Sequence, residues 1–290
     1  MNAQVLVLGG VGLLGSAVVA GLQGKDGVNV TATSRSASTG AVPFVPFSVG
    51  TSDLDSIVSG YGPGDYVVNC IGVVKNRIDD RRVSDRLEAT RVNSEFPHEL
   101  ASRAEQHGFR IIQIATDCIY SGRDGGYDES FIADPVDVYG ATKSLGEVPN
   151  DLFVNVRCSI IGRQAGEPGG LVEWLLSQPQ GATIQGYLDH QWNGVTTSVF
   201  GSLVGGLIDS RSDLSGTHHF VPADTINKSE LSRLVLDHFD RQDVTVEPTV
   251  TGHWVDRTLA TQHADVNRQL WSLAGFSTPP TIADMVSALP

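Results

Sequence analysis

The stretch QVLVLGGVGLLG, residues 4–15, decides the fold class of this chain. Its first five residues are a Val/Leu-rich run that predicts a strand, and the apolar run Leu13–Leu22 predicts a helix. Between them, Gly9, Gly12 and Gly15 have the spacing that lets a turn close, lets a pyrophosphate approach the backbone and lets the helix pack on the strand. A glycine triplet alone is also typical of a plain tight turn. The strand–turn–helix context favours a dinucleotide site at the helix N-terminus.

The second predicted strand, Val28–Thr33, continues into Ser34 and Arg35 and has no Asp or Glu at its end. A carboxylate at this position binds the ribose 2′-hydroxyl of NAD, whereas an arginine pairs with the 2′-phosphate of NADP. The alternative is that Arg35 is an ordinary surface residue. We expect NADP(H) to be favoured over NAD(H), with Ser34 and Arg35 at the 2′-phosphate.

Strands and helices alternate along the first half of the chain. Further strands are predicted at 42–49, 66–74, 110–115 and 152–157, with helices at 54–59 and 84–106. This alternation predicts an α/β fold of the Rossmann type, with a doubly wound parallel sheet. Ligands of such sheets bind beyond the carboxyl ends of the strands. The glycine loop, Arg35, Asn69–Gly72 and Thr116 all fall at such ends, so we expect them to line one crevice.

The pattern becomes less regular after Arg157. We expect a dinucleotide-binding domain at residues 1–160 and a smaller α/β substrate-binding region at 161–290, some of whose elements pack back on the first domain. In the second region we predict helices at 171–177, 198–208 and 228–239, a strand at 218–221 and a loop at 190–197.

Composition limits the classes of partner. The 290 residues carry a formal net charge of −13, which argues against general binding to nucleic acid or an anionic membrane. No apolar run approaches the ~20 residues of a membrane span, and no basic signal-peptide start is seen. We therefore expect a cytoplasmic protein. The three cysteines are an odd number and widely spaced, which favours buried free thiols over disulfides or a metal site.

A hydroxyl, a phenol and an ammonium group occur together in the sequence. Thr116 ends a predicted strand, and Tyr139 and Lys143 lie where a helix is expected to begin. Residues four apart share one helix face, so the ammonium can lie beside the phenol and favour its ionised form. A single Y-x-x-x-K is also compatible with an exposed tyrosine and a solvated lysine.

Further motifs extend the pattern. They are VVNCIG at 67–72, VN at 92–93, ATD at 115–117, YDE at 127–129, YGATK at 139–143, GE at 146–147 and VRCS at 156–159. Together with the glycine loop, they resemble the extended short-chain dehydrogenase/reductase superfamily, and within it the dTDP-4-dehydrorhamnose reductase group of sugar-nucleotide reductases. The resemblance covers nearly the whole chain.

This resemblance implies that a nicotinamide delivers hydride to a sugar carbonyl. Tyr139 would then be the proton donor, Thr116 would hold the carbonyl oxygen, and Lys143 would bind the nicotinamide ribose and lower the pKa of Tyr139. Asn93 would be a structural or relay residue behind the site. The implied cofactor contacts also include Leu13, Leu14, Cys70, Ile71 and Gly72.

The substrate half keeps less of the group's pattern. Cys118 replaces a common aromatic residue, Ser48 lies near where an Asp often contacts adenine, and segment 187–197 lacks the usual Gly-x-Pro-Thr. By position, Trp192 is a candidate to stack on a base or sugar ring and Arg257 to pair with a diphosphate; ordinary packing or surface roles remain open for both. The full set of substrate-side candidates is Val74, Cys118, Trp192, Asn193 and Arg257.

The expected function is NADPH-dependent reduction of a nucleotide-linked 4-keto-6-deoxy sugar, in deoxysugar or polysaccharide biosynthesis. Alternatives are a sugar-nucleotide epimerase, a combined epimerase and reductase, or a non-catalytic NADP-binding regulatory subunit. Retention of Thr116, Tyr139 and Lys143 weighs against the last of these. We expect no metal, and the sequence leaves a homodimer open.

Overall fold

The computed structural model describes residues 2–36, 40–163 and 170–290. The strands are β1 Ala3–Leu8, β2 Val28–Ser34, β3 Phe44–Pro46, β4 Tyr66–Asn69, β5 Arg110–Ala115, β6 Phe153–Arg157, β7 Ile160–Ile161, β8 Thr183–Tyr187, β9 His190–Trp192, β10 Val195–Thr196, β11 Gly216–His219, β12 Ile226–Asn227, β13 Thr245–Thr249 and β14 Val255–Asp256. The α-helices are α1 Leu13–Leu22, α2 Asp55–Val58, α3 Val83–Thr90, α4 Phe96–His107, α5 Val138–Leu145, α6 Leu171–Leu176, α7 Thr197–Asp209, α8 Lys228–His238, α9 Ala264–Leu273 and α10 Ile282–Ser287.

Seven strands form the central sheet, in the order β3-β2-β1-β4-β5-β6-β11. Each neighbouring pair in this sheet runs parallel. This arrangement confirms the predicted Rossmann-type doubly wound sheet. The strand order reverses between β1 and β4, and such a switch point opens a crevice at the carboxyl ends of the strands.

Both faces of the sheet are covered, as a parallel sheet requires. Alternate residues of β1 show this, because side chains in a strand point to opposite faces. Val5 and Val7 belong to a core cluster with residues of α1 and α7, whereas Leu6 and Leu8 belong to a second cluster with residues of α4. The sheet therefore has one helical layer on each side.

Helices α1 and α7 cross with their backbones in close contact. A Cβ on Gly201 would lie 2.7 Å from the carbonyl oxygen of Ala17, and one on Gly21 would lie 3.1 Å from the backbone of Gly201. In addition, β11 extends the sheet by pairing with β6. Elements that follow residue 160 thus pack on the sheet. The division into two domains at that residue stays a prediction.

Several elements differ from the sequence prediction. The helix predicted at 84–106 is two helices, α3 and α4, separated by a π-helical turn at Arg91–Glu95. The loop predicted at 190–197 contains β9 and β10, and the C-terminal segment contains α9 and α10. The short strands β9 and β10 are defined by pairing with distant segments, which local sequence does not reveal. Within the described ranges, no helix has both the length and the apolar character to cross a membrane.

Candidate active site

The glycine loop connects β1 to α1 at the switch point. Gly9 has a φ of +76°, a conformation that favours glycine, and its N–H donates to Thr33 Oγ1 at 3.0 Å. A Cβ on Gly15 would collide with the carbonyl group of Gly9, so α1 begins directly against the turn. Gly12 caps α1 without a side-chain hydrogen bond. The first N–H groups of α1 therefore have no side-chain acceptor at the cap, and this geometry fits a pyrophosphate.

The remaining candidates for cofactor contact lie around this turn. Leu13 and Leu14 are the first two residues of α1. Ser34 is buried at the end of β2, and its hydroxyl donates to the carbonyl oxygen of Ser36. Arg35 follows with an exposed side chain. An exposed guanidinium at the end of β2 can reach a ligand in the crevice, and its pairing with a 2′-phosphate stays a prediction.

The loop after β4 lies beside the glycine turn. A Cβ on Gly9 would lie 3.0 Å from Cγ1 of Ile71 and 3.4 Å from the backbone of Cys70. The Ile71 N–H donates to Asn69 Oδ1 at 3.1 Å, which fixes the path of the chain as it leaves the strand. The segment from Cys70 to Gly72 thus lies against the glycine turn at the switch point, and its contact with a cofactor stays a prediction.

Asn93 connects this wall to helix α5. Its Oδ1 accepts from the Val73 N–H at 2.9 Å, and its Nδ2 donates to the Val73 carbonyl at 3.0 Å and to Thr142 Oγ1 at 3.2 Å. Asn93 is buried within the π-helical turn, a distortion that is frequent at functional sites. The structure therefore places Asn93 behind the site, where the resemblance implies a structural or relay residue.

The structure brings Thr116 and Tyr139 together. Thr116 Oγ1 accepts from the Cys118 N–H at 3.2 Å and caps the short turn that follows β5. A Cβ on Gly140 would collide with the Cys118 carbonyl, so α5 packs directly on this turn. Thr116 lies close enough to Tyr139 for its hydroxyl to lower the pKa of the phenol. The phenol and the threonine hydroxyl are thus neighbours at the carboxyl end of β5.

The structure gives Tyr139 a raised pKa, and the expectation that Lys143 lowers this pKa stays a prediction. Burial raises the pKa of Tyr139, Cys118 and Asp117 raise it further, and the Thr116 hydroxyl acts in the opposite direction. The cost of burying a phenolate exceeds the stabilisation that its surroundings provide. The Lys143 ammonium instead donates to the Ile114 carbonyl at 2.9 Å. Burial lowers the pKa of Lys143 to about 8, with opposing contributions from Glu147 and the cysteines Cys70 and Cys158.

A buried polar network centred on Arg157 joins the residues that follow α5 to the sheet. The sequence alone predicted no role for its members. Arg157 pairs with Glu147 through two hydrogen bonds of 2.6 and 2.8 Å, and its Nη1 donates to Tyr120 Oη at 2.8 Å and to His219 Nε2 at 3.1 Å. Because arginine only donates, the His219 proton is on Nδ1, which donates to the Ala260 carbonyl at 2.8 Å. The GE and VRCS motifs thus join α5 to β6 and β11.

Two of the substrate-side candidates are buried and hydrogen-bonded. Trp192 Nε1 donates to Ser159 Oγ at 2.9 Å, and Asn193 pairs with the backbone of Leu259 through bonds of 2.7 and 2.9 Å. These bonds give both residues a packing role. Their part in binding a substrate stays a prediction.

The other substrate-side candidates are closer to solvent. Arg257 Nε donates to the Tyr120 carbonyl at 2.9 Å, and Val74 is exposed after β4. Cys118 is half-buried in the turn beside Tyr139, and burial raises its pKa to about 12, so its thiol stays protonated at neutral pH. All three cysteines are free. Among the described residues, no group of three or more His, Cys, Asp or Glu side chains could hold a metal ion.

Lys228 is a further residue at this site that sequence reasoning missed. Its ammonium lies 5.2 Å from the centroid of the Trp192 ring, and Asp117 is its charged neighbour. Burial lowers the pKa of Lys228 to about 8. The available signal was the N-K-S-E sequence at 227–230, a capping box that puts a lysine in the first helical turn, where the helix dipole disfavours a cation.

The chain is similar to known proteins in sequence and in fold. The family model described as "RmlD substrate binding domain" matches residues 3–164, more than half of the chain. A curated relative, the dTDP-4-keto-6-deoxy-D-glucose reductase of Streptomyces niveus, is 22% identical over 293 residues, covering 96% of this chain and 93% of the relative.

Solved structures share the fold over nearly the whole chain. The dTDP-4-dehydrorhamnose reductase of Bacillus anthracis, in complex with NADP, has a TM-score of 0.73 at 20% identity, with 99% of this chain and 98% of that one covered. The UDP-glucuronic acid 4-epimerase of Bacillus cereus, in complex with UDP-glucuronic acid and NAD, has a TM-score of 0.75 at 14% identity, with 98% and 97% covered.

Proposed function

The chain belongs to the RmlD substrate binding domain family, and from this membership we propose that it is an NAD(P)-dependent oxidoreductase that reduces a nucleotide-linked 4-keto-6-deoxy sugar. The observation that carries the proposal is the proximity of Tyr139 and Thr116 at the carboxyl end of β5, together with a glycine turn whose helix has no side-chain cap. The substrate class rests on the curated relative, which is named as a dTDP-4-keto-6-deoxy-D-glucose reductase.

NADP is the cofactor that we propose, with NADP preferred over NAD. The pyrophosphate would rest on the N-terminus of α1, Arg35 would pair with the 2′-phosphate and Lys143 would donate to the nicotinamide ribose. The bound nicotinamide supplies the hydride. Lys143 has one N–H committed to Ile114, which leaves two donors for the ribose.

Tyr139 and Thr116 would act on the sugar carbonyl. Both hydroxyls would aim at the carbonyl oxygen, whose negative charge grows as the carbonyl carbon is reduced. The raised pKa of Tyr139 keeps the phenol protonated at neutral pH, as a proton donor requires. An alkoxide is a stronger base than a phenolate, so the proton moves to the sugar oxygen. Asn93 would hold α5, and with it Tyr139, at a fixed distance from the loop after β4.

The proposal is tested by adding dTDP-4-dehydrorhamnose, or its 4-keto-6-deoxyglucose isomer, to purified protein with NADPH. We expect NADPH oxidation only when the keto-sugar nucleotide is present, with a reduced sugar nucleotide as the product seen by NMR. An altered sugar configuration without net NADPH oxidation would identify an epimerase instead. NADPH binding without turnover of either sugar would identify a non-catalytic binding protein.

A further inference from the structure

Glu147 follows the end of α5, four residues after Lys143. Its N–H donates to the Ser144 carbonyl at 3.3 Å, so the chain continues the helical turn beyond the last residue of α5. Residues four apart in such a turn lie one above the other. Gly146 holds this turn against the sheet, because its carbonyl accepts from Gln113 Nε2 at 2.8 Å. The side chains of Lys143 and Glu147 therefore reach the same part of the sheet.

Lys143 and Glu147 are bound at neighbouring points of β5 and β6. The Lys143 ammonium donates to the Ile114 carbonyl at 2.9 Å. The Glu147 carboxylate accepts from Arg157 at 2.6 and 2.8 Å, with one bond to each oxygen. In the register of the two strands, Arg157 lies opposite Ala115, the residue that follows Ile114. The two side chains thus converge on adjacent residues at the carboxyl end of β5.

The Lys143 ammonium is buried among groups that carry little charge. Lys143 is 9% exposed, and the side chains of Glu147 and Arg157 are 8% and 13% exposed. Removal of an ammonium from water disfavours its charged form. Burial raises the pKa of Cys70 to about 12 and also raises the pKa of Cys158, so both neighbours are neutral thiols at neutral pH. Of the groups that influence Lys143, Glu147 carries the opposite charge.

Other charged groups around α5 have partners of their own or face solvent. Asp137 at its N-terminus pairs with Lys75 at 2.7 Å, and Asp117 accepts from the Thr116 hydroxyl at 3.1 Å. The ionisable side chains of α3 and of the π-helical turn, together with the α4 histidine that is bonded to the end of α5, are Asp85, Arg86, Glu88, Arg91, Glu95 and His98. All of them except Asp85 are exposed to solvent, which screens their charges. Asp85 is bonded within its own segment.

We propose that Glu147 is a positioning residue for Lys143: its carboxylate, held in place by Arg157, is the counter-charge that keeps the ammonium at the end of β5. Attraction between opposite charges acts without direct contact and is stronger where water is excluded. Glu147 also opposes the effect of burial on the pKa of Lys143, as this role requires. The consequence for NADPH binding rests on the proposed function, whereas the consequence for Lys143 does not.

An NMR titration of the lysine side chains tests the role of Glu147 directly. The sequence contains four lysines, Lys25, Lys75, Lys143 and Lys228, so isotope-labelled lysine gives few signals. Lys143→Arg assigns the Lys143 signal by its absence, and the wild-type midpoint should be about 8. Glu147→Gln keeps the shape of the side chain and removes its charge. We expect it to lower the Lys143 midpoint by about one pH unit, the effect of losing one opposite charge nearby.

Three further variants separate the charge of Glu147 from its packing. Glu147→Asp keeps the charge, and its Lys143 midpoint should lie between those of Glu147→Gln and the wild type. The double variant Glu147→Gln/Arg157→Gln leaves no unpaired arginine in the fold. It should also lower the midpoint, because Glu147 is the member of the pair that influences Lys143. Glu173→Gln is the matched control, since Glu173 pairs with Arg163 at 2.9 Å on α6, and it should leave the midpoint unchanged.

The outcomes for Glu147 and for the cofactor are distinct. The same Lys143 midpoint in the wild type, in Glu147→Gln and in the double variant would refute the proposal and leave Glu147 a purely structural partner of Arg157. NADPH affinity across the same pH range is the second readout, and in Glu147→Gln its alkaline fall should begin at a lower pH. If the midpoint falls and NADPH affinity does not follow it, Glu147 still positions Lys143, and the proposed contact of Lys143 with the ribose is wrong.

Discussion

The Lys143 ammonium donates a hydrogen bond to the carbonyl oxygen of Ile114 at 2.9 Å, although Lys143 lies one helical turn from Tyr139. This bond directs the cation toward the end of β5, where Cys70, Cys158 and Glu147 are its electrostatic neighbours. Burial is the largest influence on the pKa of Tyr139 and raises it, and the contact of Lys143 with a ribose stays a prediction.

NADPH binding should weaken at alkaline pH. The folded pKa of Lys143 is about 8, below its ordinary value of 10.5, so the ammonium loses its proton as the pH rises through about 8. Fluorescence titration of NADPH from neutral to alkaline pH should show the affinity falling across this range. Lys143→Arg keeps its charge and should give a flat profile, whereas Lys228→Met should retain the wild-type profile. A flat wild-type profile would contradict the role of Lys143.

Removal of the Tyr139 hydroxyl should stop proton transfer. We expect Tyr139→Phe to lower kcat roughly 10²- to 10⁴-fold, the range for loss of a general acid, while NADPH affinity is retained. The assay is NADPH oxidation with the keto-sugar nucleotide. Tyr61→Phe is the control, because Tyr61 follows α2, outside the elements that carry the site. Equal activity of the two variants would exclude Tyr139 as the proton donor.

Loss of the Arg35 guanidinium should abolish the preference for NADPH. A hydrogen bond to a charged group contributes about 1.5–3 kcal/mol, so Arg35→Ala should weaken NADPH roughly 10- to 100-fold. NADH lacks the 2′-phosphate and should bind the variant and the wild type alike. Titration of both cofactors against both proteins gives the four affinities. An unchanged ratio of NADPH to NADH affinity would remove Arg35 from the cofactor site.

The crossing of α1 and α7 should not tolerate a methyl group. Gly201→Ala puts Cβ 2.7 Å from the Ala17 carbonyl and should lower the free energy of unfolding by about 1–3 kcal/mol, a typical cost of overpacking. Gly60→Ala is the control, since it meets no atom within 4 Å and does not require a positive φ. Its free energy of unfolding should be unchanged or slightly higher. Chemical denaturation of both variants measures the difference.

Acid should destabilise the fold through His219. Burial lowers its pKa below the ordinary value of 6.5, and the charge of Arg157 acts in the same direction. The carboxylates of Glu129 and Glu147 act in the opposite direction. A lowered histidine pKa means that the unfolded chain takes up the proton first. The contribution of neutral His219 is therefore complete above about pH 6.5 and is lost as the pH falls.

His219→Asn retains a donor for the Ala260 carbonyl but does not titrate. We expect it to be less stable than the wild type at neutral pH, because Arg157 loses an acceptor. The difference in the free energy of unfolding between the variant and the wild type should narrow as the pH falls. Urea denaturation at several pH values measures it, and a constant gap would mean that His219 does not titrate on unfolding.

The cofactor half of the molecule could be predicted because its signals are local. Gly9 adopts a positive φ and Gly15 has no room for a Cβ, and these two requirements fall on residues close together in the sequence. The bounds of α1 and β5 agree with the predictions for the same reason. The alternation of strands and helices then predicts the parallel sheet.

The substrate half could not be predicted because its contacts are distant in sequence. Lys228 meets Trp192 only when β12 pairs with β9, and Asn193 is held by Leu259, more than sixty residues away. The direction of the Lys143 side chain could not be predicted either. The spacing of four residues from Tyr139 does not determine which acceptor a long side chain binds, and here it is the Ile114 carbonyl.

The pairing of β11 with β6 has a consequence for any shortened form of the protein. A fragment that ends near residue 160 would lack Gly216–His219, so β6 would keep its pairing with β5 but have an open edge on its other side. It would also expose the surface of α1 that Gly201 covers. An open edge of this kind recruits strands from other molecules. We therefore expect the N-terminal part of the chain, expressed without β11, to aggregate through the open edge of β6.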